Sequence, residues 1–102
     1  MLDKSIANPT AEWIAEQEFE LNQLVDQFAQ LMKAKLLEKA IEGRTGWNLV
    51  EKREELWNAM LAHGAAIKYA AGQEVDVANF AMFLLYQRIR IEGAIHNQGG
   101  NS

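Results

Sequence analysis

The sequence predicts an all-α fold, a small bundle of three to four helices with a long first helix. Three observations carry this. Apolar residues recur every three or four positions along most of the chain, no segment alternates with the two-residue period of a strand, and a single proline, Pro9, occurs in 102 residues. Glycines Gly43, Gly46, Gly64, Gly72 and Gly93 punctuate the helical stretches.

The first helix is expected to begin at Asn8-Pro9, with Asn8 capping the free N–H groups and Pro9 in the first turn, where a missing N–H costs nothing. From Trp13 the residues Leu21, Leu24, Val25, Phe28, Leu31, Met32, Leu36 and Ile41 keep the helical spacing as far as Gly43. Gly43 and Gly46 bracket a turn that ends this helix by the glycine rule for carboxy termini, and Trp47 is expected to fold back over it. A second helix is expected from Asn48, because Glu51 stands three residues on, the spacing of a capping box. It carries Leu56, Trp57, Met60 and Leu61. Its interior Gly64 implies close packing of a neighbouring backbone, and Gly72 ends the segment. A third helix, from Gln73–Asp76 to about Glu92, reads as the central one, burying Val75, Ala78, Met82, Leu85 and Ile89, with Phe80, Phe83 and Leu84 widening the stripe. Residues 1–92 are thus expected to form one helical domain, and 93–102, which lack periodicity, a flexible tail.

Composition narrows the function classes. With 49% hydrophobic and 24% charged residues the chain resembles an ordinary globular domain, and no apolar run approaches the roughly 18 residues of a membrane span. No basic start followed by an apolar stretch marks a secretory signal, so the cytoplasm is the expected compartment. The absence of Cys excludes disulfides, thiolate nucleophiles and cysteine metal sites. His63 and His96 are far apart in sequence, which offers no His-based metal site or triad. The net charge of −4 and the lack of a basic recognition face argue against nucleic acid as a partner.

The negative charge is an amino-terminal property. Residues 1–30 hold six acids against Lys4 alone, whereas the rest of the chain is close to neutral. Glu12, Glu16 and Glu20 recur every four residues and repel one another along one helix face. Solvation and the positive helix start offset part of this cost, and a basic protein partner would offset it as well. A first helix this long in so small a chain also makes a homodimer an expectation.

Chemistry concentrates in Asp76-Val77-Ala78-Asn79-Phe80-Ala81-Met82, where Asp76 and Asn79 stand one turn apart on an apolar helix. On residue type alone, Asp76 would cap the helix start and Asn79 would bond a neighbouring loop. This segment, preceded by a Gly turn and, upstream, by a Lys-rich helix end running into Gly43-x-x-Gly46-Trp47, resembles phage-borne MazG-like proteins. Those are all-α nucleoside triphosphate pyrophosphohydrolases. The likeness covers about residues 28–90 and is strongest over 72–85. It implies Mg²⁺ held by carboxylates from two helices, here Glu51, Glu54 (or Glu55) and Asp76, and cleavage between the α and β phosphates of a nucleoside triphosphate. Hard Mg²⁺ suits such oxygen ligands and would polarise the phosphate. In the same reading Asn79 orients substrate, Arg44 grips phosphate and Trp47 lines the nucleotide site. The family pattern has a carboxylate where this chain has Gln73, so the fourth ligand is missing. The other reading is a non-catalytic interaction protein of phage type that keeps the scaffold and binds a host protein, for example in anti-defence, through the acidic surface of Glu12, Glu16 and Glu20.

Overall fold

The computed structural model describes the backbone of residues 7–99 and the side chains of residues 7–93. Among the described residues three α-helices occur in order, α1 (Ala11–Ile41), α2 (Arg53–Ala66) and α3 (Gln73–Gly99), with one 3₁₀ turn, Val50–Lys52, leading into α2. No strand is present among the described residues. The chain divides into two compact units, Met1–Gln30 and Leu31–Ser102.

Among the described residues of the first unit the only regular element is the start of α1. Its cap is Thr10, not Asn8: the Thr10 Oγ1 accepts a hydrogen bond from the Trp13 N–H at 3.1 Å, and the Thr10 carbonyl accepts the first helical bond, from the Ile14 N–H at 3.0 Å. Pro9 therefore precedes the cap. Asn8-Pro9-Thr10 offers two capping side chains, and only the backbone path selects between them. Trp13, Ile14, Leu21, Leu24 and Val25 are all exposed.

In the second unit α1 ends as the glycines predict. Gly43 sits at φ 82°, the Arg44 N–H reaches back to the Lys39 carbonyl at 3.0 Å, and the Gly43 N–H reaches the Ala40 carbonyl at 3.0 Å. This pair of bonds is the Schellman motif, which needs the left-handed conformation that glycine adopts without a Cβ clash. The second helix starts later than expected. The Asn48–Glu51 capping box does not form. The residues flanking the 3₁₀ turn and α2 at their amino ends, Leu49 and Lys52, make no side-chain cap, and α2 proper begins at Arg53. Gly72, at φ 91°, opens α3, its carbonyl accepting from the Val75 N–H at 3.1 Å. α3 then continues past Glu92 to Gly99, since extending a formed helix adds a bond for each residue fixed. The expected mobility of the tail falls on the side chains of 94–99 and on 100–102, outside the described residues.

α2 and α3 form an αα-hairpin in which residues at matching distances from the turn face one another. His63 meets Phe80 with ring centroids 5.3 Å apart, and the Arg53 Nη1 donates to the Leu84 carbonyl at 2.9 Å. The face of α3 turned inward differs from the one the sequence predicts. Asp76, Asn79, Leu84 and Gln87 are buried, whereas Met82, Leu85 and Ile89 are exposed by 40%, 59% and 58%. α3 is apolar on both sides, so hydrophobicity cannot choose its inner face. The side carrying Asp76, Asn79 and Gln87 can bond the polar groups that α2 and the preceding turn present, and buried polar groups require such partners. Gly64 is a further correction. A Cβ built there meets nothing within 4 Å, so no neighbouring backbone approaches it.

Candidate functional site

The polar groups of the hairpin gather at two places. At the turn end, Gln73 and Asp76 stand one turn apart on α3 and share a partner on α2. The His63 Nδ1 lies 2.5 Å from the Gln73 Oε1 and 3.5 Å from the Asp76 Oδ2. An amide oxygen only accepts, so Nδ1 is the donor in this contact. Asn79, one turn further, donates from Nδ2 toward the Met32 carbonyl of α1 at 3.5 Å, while its buried Oδ1 has no hydrogen-bond partner. Asp76 is therefore not a cap. It lies within the first turns of α3, where the helix start favours its charge, and it orients the imidazole.

Toward the other end, Gln87 is fully buried. Its Nε2 donates to the carbonyls of Trp47 (2.8 Å) and Leu49 (3.1 Å), tying the segment after Gly46 to α3, and its Oε1 has no partner. Trp47 does not fold back over the glycine turn. Its ring stacks on Phe83 at 5.4 Å and lies tilted against Tyr86 at 5.3 Å, with about two-fifths of the residue still in solvent. Tyr86 in turn accepts from the Arg90 Nη1 at 2.9 Å.

The residues singled out as metal ligands are not brought together. Glu51 and Glu54 are exposed at the start of the second helical segment. Asp76 faces His63, and nine residues separate Glu54 from His63 along α2, about 13 Å at 1.5 Å per residue. A single Mg²⁺ at 2.0–2.1 Å needs its ligands within ~5 Å of one another. Antiparallel pairing is what separates them, since it puts Asp76 at the turn end of the hairpin and Glu51 and Glu54 at the opposite end. Among the described residues no group of three or more His, Asp or Glu side chains is placed to hold a metal ion. The described residues do not form a cage for Mg²⁺. Glu55 pairs with Lys52 at 3.1 Å. Arg44, exposed, lies 3.6 Å from the Glu42 carboxylate beside it. Glu12, Glu16 and Glu20 stand in solvent on the first unit.

His63 is the residue that sequence reasoning misses. Distance to His96 hides its partners, which are an amide and a carboxylate across a turn. The antiparallel register, with His63 and Asp76 about equally far from the middle of the 67–72 turn, is the signal that finds them.

The chain matches no protein-family model, no curated protein and no solved structure. The MazG-like resemblance thus rests on the residues that carry it.

Proposed function

We propose that this chain is a helical protein-interaction module that works by binding a polypeptide rather than by turning over a nucleotide. One observation supports the reading above the others. Rows of large apolar side chains at helical spacing stand in solvent on all three helices: Leu21, Leu24 and Val25 on α1, Trp57 and Leu61 on α2, and Met82, Leu85 and Ile89 on α3. Single exposed apolar residues are ordinary, but rows of them mark surfaces that another molecule covers. Among the described residues Leu84 is the only large hydrophobic side chain that counts as buried, so little of the chain's apolar surface is used internally.

The alternative activity, Mg²⁺-dependent hydrolysis of a nucleoside triphosphate, is tested in the same experiment. A panel of nucleoside triphosphates is incubated with Mg²⁺ or Mn²⁺ and the folded protein, its Asp76→Ala and its Glu54→Ala variants, while an apolar dye reports open surface. The interaction reading expects dye binding and no turnover. Turnover that is lost in both variants overturns it in favour of a pyrophosphohydrolase.

A further inference from the structure

Within the first unit the apolar side chains of α1 follow a coiled-coil seam. Ile14, Leu21, Leu24 and Phe28 stand seven, three and four residues apart, the 3.5-residue repeat that keeps one line of a helix turned toward a partner helix. Gln17 fills the remaining position of the repeat as its one polar member. Ile14, Leu21 and Leu24 are exposed by 51%, 55% and 60%, Phe28 is half-buried, and no residue of α1 is buried. The seam runs about 21 Å at 1.5 Å per residue, and all of it belongs to the unit Met1–Gln30.

The positions beside such a seam decide what pairs with it. In this register they are Trp13, Glu18, Glu20, Val25 and Gln27, so the only charges on the two edges are negative. Glu18 and Glu20 are exposed and lie on opposite edges. Glu12, Glu16 and Asp26 turn away from the seam and take no part in the contact, and residues 11–30 contain no Lys or Arg.

We infer that this seam takes a basic amphipathic helix of another polypeptide, its apolar row laid along Ile14, Leu21, Leu24 and Phe28 and its Lys or Arg side chains set against Glu18 and Glu20. This rests on the interaction reading above and names the contact face and the chemistry of the partner. A 3.5-residue repeat is matched along its length by another helix and not by the two-residue period of a strand. The edges select positive charge. A second copy presenting the same stretch brings no Lys or Arg to either edge and forms no ion pair there, whereas a basic helix meets an acid on both. Nucleic acid and anionic lipid would bring phosphate against the same two carboxylates. Gln17 favours a polar residue opposite it and so fixes the register of the partner.

The probes are two synthetic three-heptad helices with Leu at the seam positions, one with Lys and the other with Glu at the flanking positions, each carrying a fluorophore. Anisotropy gives their affinity for the full chain near 0.15 M salt, where charges more than about 8 Å away are largely screened. The Lys peptide should bind at least tenfold more tightly than the Glu peptide. Glu18→Lys with Glu20→Lys should reverse that preference. Glu12→Lys with Glu16→Lys, the same change of net charge on the outer side, should alter the affinity for the Lys peptide less than threefold. Leu24→Asp should lower it at least tenfold, while circular dichroism verifies helicity in every variant. Equal losses from the two charge reversals, or no preference between the peptides, overturn the seam as the contact. A dimer by light scattering that Leu24→Asp dissolves and the Lys peptide does not overturns it in favour of a second copy. If neither peptide binds, the inference fails: a protein that still binds an apolar dye keeps the interaction reading with another partner, and one that binds no dye refutes both.

Discussion

Gln87 offers the sharpest test of how this hairpin is held. It is a polar side chain with no exposed surface, its Nε2 bonded to two carbonyls and its Oε1 to no group among the described residues. Gln87→Ala removes two hydrogen bonds, about 1–3 kcal/mol together, and roughly two buried methylenes, about 1.6 kcal/mol, for a cost of about 2.5–4.5 kcal/mol. Rehydration of the Trp47 and Leu49 carbonyls, whose residues are about two-fifths exposed, lowers that sum to roughly 2–3 kcal/mol. Gln87→Leu loses the same bonds and, like Gln87→Ala, the unpartnered oxygen, but it keeps the volume, so it should cost about 1.6 kcal/mol less than Gln87→Ala, under about 1.5 kcal/mol. Gln87→Glu keeps the shape and replaces the donor with a carboxylate facing two carbonyls in a buried place, and should cost the most, above about 3 kcal/mol. Urea unfolding followed by circular dichroism, at one fixed protein concentration because association shifts apparent stability, gives the three values. The predicted order is Gln87→Leu least harmful, then Gln87→Ala, then Gln87→Glu. Equal losses for Gln87→Leu and Gln87→Glu would refute the claim that the amide donor, with its stranded oxygen, governs this site.

Gly64→Ala should stabilise the protein by about 0.5–1 kcal/mol, because the position is helical and a Cβ there meets open space, whereas Gly43→Ala should cost about 1 kcal/mol or more at its φ of 82°; thermal melts that moved both in the same direction would contradict the assignment. Thr10→Ala should raise the hydrogen-exchange rate of the Trp13 amide about fivefold, the equivalent of ~1 kcal/mol of lost capping, and Asn8→Ala should leave it unchanged, as read by amide exchange.

The candidate site was partly legible. That Asp76 and Asn79 share a face of the third helix follows from their spacing, and that they need partners follows from the apolar residues around them. Who those partners are does not follow, since His63 and Met32 come from other helices and the sequence states no register between helices. The same gap explains Glu51 and Glu54. Their spacing suits a metal, but antiparallel pairing carries them to the other end of the hairpin from Asp76.

The sequence by itself determined the helical class, the stop at Gly43, and the acidic bias of the first thirty residues, because helical period, left-handed glycines and side-chain charge are local properties of the chain, whereas the second helix expected to run to Gly72 ends at Ala66. Tertiary structure alone decided which face of α3 turns inward. Two apolar faces were on offer, and the burial of Asp76, Asn79 and Gln87 in place of Met82, Leu85 and Ile89 was settled by the donors and acceptors of α1, of α2 and of the Gly46–Leu49 segment, groups distant in sequence that meet only once the chain has folded.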